Sequence, residues 1–312
     1  MLRFLKNWTL PVAITVGTIA YLVFAYTPAL DAVGNALNPI FETLLPLTIF
    51  LTLFVTFSKV DFHKMKLRPW HGIVLAVQLG LVLLLTSITL QASTLSNKLI
   101  LEAMLICVIA PCAAATPVVT AKLGGDLTQM TTFVLLSAIA ASLQIPIIFP
   151  ILEPGHDVTF LIAFLTILHR LAIVLLLPLL LGAIVRHWVR PLYDWFLRTP
   201  DLGFYLWSVS LAIVAGITMR NVLHSPISPL HLCSIALLTL GVSLVQYILG
   251  HFIGKHWGET AGTGQGMFQK NTGLAIWIAY TYLTPVASIG AGCYVLWQNL
   301  INSYELWKYR QA

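Results

Sequence analysis

Ten apolar runs follow one another along the sequence, near residues 9–28, 39–59, 71–92, 99–122, 127–152, 158–187, 202–221, 229–254, 257–283 and 286–307. They are bounded by Gly, Pro, Asp or basic clusters. A helix needs about 20 mostly apolar residues to cross a bilayer, and hydrocarbon offers no water to satisfy a backbone left open. The predicted fold class is an all-α polytopic membrane protein with about ten transmembrane helices. Charged residues make up only 9% of the chain and apolar residues 58%, so an aqueous fold lacks the polar surface to cover itself. The net charge of +6 sits in the gaps between runs, where it reports orientation and not a nucleic-acid partner. The first run follows Arg3 and Lys6, exceeds a signal-peptide core in length, and is expected to remain as a span.

With the N-terminus in the cytoplasm, Arg3, Lys6, Lys59, Lys64, Lys66, Arg68, Lys122, Arg186, Arg190, Arg198, Lys255, Lys308 and Arg310 fall inside. Only Lys98 and Arg220 fall outside, while Arg170 and Lys270 lie within spans. That bias predicts a multi-pass protein of the cell membrane with both termini cytoplasmic. The gap from Glu153 to Asp157 divides the chain into two five-span halves, residues 1–152 and 153–312. An odd number of spans turns a second copy upside down, the arrangement of many secondary transporters.

The fourth span of each half is interrupted. In the first, Ala110-Pro111-Cys112-Ala113-Ala114-Ala115-Thr116-Pro117 carries two prolines. Each removes a backbone donor, and Pro117 suits the first position of a new half-helix with Thr116 as its N-cap. A simple proline kink is the alternative. In the second, Gly262 to Gly273 holds glycines at 262, 264, 266 and 273, the amides Gln265 and Gln269, Lys270, Asn271 and Thr272. A lysine in hydrocarbon needs acceptors or an anionic partner, unless it snorkels to an interface. Two breaks meeting near the midplane would direct half-helix N-termini at an anion, while freed carbonyls could hold a cation.

Other polar residues invite simpler readings. Asp126-Leu127-Thr128-Gln129 reads as a helix cap. His169 and Arg170, midway along the sixth span, are candidate contacts for an anionic substrate or a structural pair. Glu42 and Glu102 lie toward helix ends and read as interfacial, and Trp297 as part of an aromatic belt. Cys107, Cys112, Cys233 and Cys293 show no ligand or disulfide spacing and read as small packing residues. No carboxylate pair, HExxH or GxSxG motif supports an enzyme. A channel or sensor is a further alternative, but paired breaks in opposed halves suit a carrier better. No cofactor and no obligate protein partner is expected. The expected partners are the lipid bilayer and a small organic anion.

Several segments together resemble the bile acid:sodium symporter family. They are Ala76-Val77-Gln78, the proline break followed by Gly124-Gly125-Asp126, Leu177-Pro178-Leu179-Leu180-Leu181-Gly182, the Gln269 to Ala275 segment, and Trp297-Gln298-Asn299-Leu300. The resemblance implies a core domain of spans three to five and eight to ten, with spans four and nine crossing at their breaks. Spans one, two, six and seven would form a panel against which the core moves. It also implies transport of bile acids or other organic acids, often with sodium as coupling ion. An arsenite exporter would carry a cysteine motif that is not apparent around Cys112.

The sodium pattern implied by the family is incomplete here. Gln78 matches, but a Ser-Asn pair at the first break is replaced by Thr116-Pro117. Hydroxyl positions of the fifth span fall on Met130 and Val134, beside Thr131 and Thr132. A ninth-span glutamate falls on Gln265 or on Gly266, depending on the alignment. Under the second alignment Lys270 occupies a sodium-holding glutamine position. Hard cations favour several oxygen ligands including carboxylate, so the loss predicts weak sodium binding, with the Lys270 ammonium standing in for the ion. The candidate substrate- or ion-binding set is therefore Gln78, Thr116, Pro117, Gln265, Gln269, Lys270, Asn271 and Thr272.

Overall fold

The computed structural model describes residues 8–153, 159–225 and 227–311. Arg3, Lys6 and residues 154–157, where the sequence was expected to divide into two halves, lie outside the described residues. Among those described, the chain forms thirteen α-helices and no β-strand. They are α1 (Thr9–Tyr26), α2 (Asp31–Phe57), α3 (Pro69–Leu90), α4 (Leu95–Ile109), α5 (Thr116–Lys122), α6 (Leu127–Leu152) and α7 (Phe160–Trp188). Then follow α8 (Arg190–Arg198), α9 (Leu202–Leu223), α10 (Pro229–Trp257), α11 (Thr260–Phe268), α12 (Thr272–Tyr282) and α13 (Pro285–Gln311). Helix α1, α3, α6, α7, α9 and α10 are each long and apolar enough to cross a membrane. The fourth and ninth apolar runs appear as the helix pairs α4/α5 and α11/α12, each half too short to cross alone.

Local chemistry sets the helix ends. The Asp126 carboxylate accepts from Thr128 N at 2.8 Å and Gln129 N at 3.0 Å, the cap its sequence predicts. The Gln129 side chain turns away to donate to Lys64 O at 2.8 Å. Ser228 caps α10 ahead of Pro229, and Gly258 ends it at φ 70°, a left-handed turn open to glycine at no steric cost. The helix α8 was not expected from the apolar runs, because it is short and carries three charges. It is amphipathic, and its buried Phe196 packs with Val55 and Val185.

The chain divides into two compact units. The first takes the described residues of Met1–Val60, Leu176–His224 and Asn299–Ala312. In it α1 and α9 approach at Gly17, where an added Cβ would clash with Ala212 O. Small residues let membrane helices pack this closely, because lipid supplies no hydrophobic drive between them. Gly17→Leu is expected to destabilise the protein by about 1–3 kcal/mol through overpacking, read as a lowered thermal midpoint in detergent. The second unit takes the described residues of Asp61–Leu175 and Ser225–Gln298. It contains α3 to α6, α10 to α12, and the adjoining parts of α7 and α13.

Three side-chain readings change. Glu102 is not interfacial but fully buried, with Thr284 Oγ1 at 3.4 Å and Lys98 Nζ at 3.9 Å. That lysine pairs more closely with Glu153, at 2.6 Å. Trp297 is no free belt residue, since its indole N–H donates to Ala236 O at 2.9 Å. Cys107, Cys112 and Cys293 are buried as packing residues should be, but Cys233 is exposed. The Glu42 side chain lies outside the described residues.

Candidate functional site

The first interruption is a full break, not a kink. Helix α4 stops at Ile109, residues 110–115 run non-helically, and α5 begins at Thr116. Pro117 sits at its second position and Ala115 precedes the helix, so Thr116 is not the cap. Its hydroxyl instead meets Cys112 Sγ at 3.3 Å. The second break falls between Phe268 and Thr272, where the Asn271 carboxamide caps α12 by accepting from Leu274 N at 3.1 Å.

The two breaks cross and satisfy each other. Cys112 and Lys270 form an isolated antiparallel bridge. Ala113 N donates to Gln269 O at 2.9 Å, and Asn271 N donates to Pro111 O at 2.8 Å. Buried backbone groups must find partners, so two chain segments that each lost helical bonds are stabilised by exchanging them.

The remaining groups are taken by side chains from neighbouring helices. Gln78 on α3 donates to Val108 O at 3.0 Å and Ala110 O at 3.4 Å. Gln246 on α10 donates to Cys107 O at 3.4 Å and to the Tyr294 hydroxyl at 2.9 Å. That hydroxyl donates to Phe268 O at 2.6 Å. Cys112 N donates to Ser137 Oγ on α6 at 2.8 Å. Lys270 N donates to Gln298 Oε1 at 2.8 Å, and Gln298 Nε2 returns a bond to Lys270 O at 3.2 Å. Each break thus has one N–H held by the span after its own, α6 for the first and α13 for the second.

Of the predicted set, Gln78, Thr116, Pro117, Gln269, Lys270, Asn271 and Thr272 all lie on or against this crossing. Gln265 is buried on α11, one turn before Gln269. Lys270 is 1% exposed, and its Nζ has no hydrogen-bond partner among the described residues. It does not snorkel. Both amide atoms of Gln269 and Oε1 of Gln78 are likewise unpartnered among the described residues.

Met130 and Val134 are fully buried apolar residues. The nearby Thr131 and Thr132 hydroxyls bond back to Leu127 O and Thr128 O within their own helix. The fifth-span hydroxyl that reaches the break is Ser137, which the sequence reading did not single out. Gln246 and Tyr294 were missed as well, and Gln298 entered only as part of a motif. A lone amide inside an apolar run is the signal that could have found the glutamines. His169 and Arg170 are both exposed on α7, away from the crossing itself. The Arg170 guanidinium lies over the Trp277 ring of α12, 4.1 Å from its centroid.

Among the described residues no group of three or more His, Cys, Asp or Glu side chains could hold a metal ion. The crossing offers amide and carbonyl oxygens and one buried amine.

A comparison with curated proteins finds no match. The sequence profile of the Sodium Bile acid symporter family matches residues 43–246, from α2 through most of α10, and so takes in the first break. Members of that family are membrane transporters rather than enzymes, and the apolar helices fit a multi-pass protein in contact with lipid. With its profile covering well over half of the 312 residues, the chain belongs to the sodium bile acid symporter family.

Proposed function

We propose that this family member is a secondary active transporter that moves a small organic anion across the cell membrane by alternating access, without sodium. The observation that carries the reading is Lys270, a buried amine at the crossing of two broken helices with no hydrogen-bond partner among the described residues. An intramembrane cation without an acidic neighbour favours an anionic solute. The N-terminus of α12 adds partial positive charge beside it.

A ten-span inverted repeat, with halves 1–152 and 153–312, is the architecture that accounts for the pairing of the breaks. Helix α3, α4/α5 and α6 then correspond to α10, α11/α12 and α13. Support comes from a matched role: Cys112 N and Lys270 N each donate to a side chain of the next span, Ser137 and Gln298. Spans three to five and eight to ten would be the core, spans one, two, six and seven the panel, and both termini cytoplasmic.

Sodium-coupled symport is the second reading. It draws on the unpartnered carboxamide oxygens of Gln78 and Gln269, which suit a hard cation. Uptake of radiolabelled organic anions into proteoliposomes, with sodium or choline outside, separates the two. Equal uptake in both media is expected, accelerated by substrate on the opposite face as a carrier requires. Sodium-dependent uptake that persists in Lys270→Ala would overturn the sodium-free reading and leave the symporter.

A further inference from the structure

The residue that the crossing does not use is Arg170. It lies ten residues into α7, about 15 Å from one end of that helix and about 27 Å from the other, with apolar turns on both sides. A guanidinium is always charged, and hydrocarbon at that depth is a costly surrounding for it. Yet Arg170 is exposed, and among the described residues it makes no ion pair. Its guanidinium lies instead over the Trp277 ring.

That ring is itself held from behind. Trp277 meets Tyr282 edge-on with centroids 6.1 Å apart, and Tyr282 meets Phe149 of α6 at 6.3 Å. Tyr282 is 6% exposed and Phe149 1% exposed, so the stack is anchored in the core of its unit. Trp277 lies five residues beyond Thr272, on the half-helix that starts at the second break. A guanidinium resting on an indole keeps its N–H edge free for a planar, two-oxygen partner, with its side chain already ordered.

We propose that Arg170, oriented by Trp277, is the subsite that grips the carboxylate of the transported anion through both oxygens. This rests on the transport reading above, and it adds the residue that binds the headgroup and the residue that positions it. Arg170 touches the substrate, whereas Trp277 acts through Arg170.

The test uses the full chain in proteoliposomes, with uptake of carboxylates such as pantoate, benzoate and cholate competed by each carboxylate and by its neutral amide. The carboxylates should compete and the amides should not. Arg170→Lys keeps the charge but loses the two-pronged geometry, so KM for the carboxylate should rise about 10- to 100-fold with kcat largely retained. Trp277→Leu should raise KM in the same direction, and Trp277→Phe should recover part of the loss. Each variant is checked for its wild-type elution volume and thermal midpoint, so that misfolding is read separately. If wild type carries carboxylates and KM is unmoved in Arg170→Lys and Trp277→Leu, this subsite is overturned while the transport reading stands. Competition by amides as strong as by carboxylates also overturns it. If wild type carries no organic anion, both readings fall together.

Discussion

Lys270→Met is expected to make the protein more stable and to stop transport. Its ammonium is almost completely buried and finds no hydrogen-bond partner among the described residues, so the fold bears its desolvation without local return. Methionine fills nearly the same volume with an apolar chain. Replacing buried charge by well-packed apolar groups is often stabilising by about 1–4 kcal/mol, which sets the scale for the rise in thermal midpoint in detergent. If Lys270 is the counter-charge for the anion, removing it costs roughly 2–5 kcal/mol of binding, or about 30- to 4,000-fold in uptake at low substrate. Opposite signs for stability and activity mark a residue kept for function. A variant that melts earlier and transports normally would mean that Lys270 is a structural group.

Gln298→Leu should show the reverse coupling, losing stability and activity together. One carboxamide accepts from Lys270 N and donates to Lys270 O, holding the second break on both sides. Leucine leaves a buried N–H without a partner, while Lys270 O keeps a bond from Thr272 N at 2.9 Å. The expected loss is about 2–4 kcal/mol, dominated by the orphaned donor. Gln298→Glu keeps an acceptor for Lys270 N and should recover part of that loss. Thermal unfolding in detergent together with proteoliposome uptake measures both effects. A leucine variant that melts with the wild type would show that the crossing does not depend on this amide.

The contrast between these two residues explains what the sequence made legible. The spans and both breaks were readable because hydrophobic length and the removal of backbone donors are local properties. Pro111, Pro117 and the Gly262 to Gly273 segment announce non-helical backbone wherever they occur. What closes the breaks is not local. Ser137 looks like any serine in an apolar helix, and hydroxyls such as Thr86 and Thr239 simply bond to carbonyls of their own turn. An amide at Gln78, Gln246 or Gln298 is more telling, since its two-ended group is harder to satisfy within one apolar helix. Glu102 was misread because its depth depends on which way α4 is rotated, and an apolar helix with little amphipathic contrast does not reveal that. Pro117 fell one position later in its helix than expected, a shift within the ordinary uncertainty of helix ends.

The crossing of the breaks also bears on how the chain is made. Ribosomal synthesis proceeds at about 5–20 residues per second, so Lys270 emerges on the order of ten seconds or more after Cys112. During that interval the first break must persist in the membrane without the strand-like partner that later pairs with it. Much of its backbone does not wait. Gln78 has already been made when Val108 O and Ala110 O arrive, and Ser137 follows Cys112 within one further span. Cys107 O is left for Gln246, and Pro111 O and Ala113 N for the distant segment of the second break. The nascent first half can therefore hold much of its interrupted helix, and the later residues finish it by docking three hydrogen bonds.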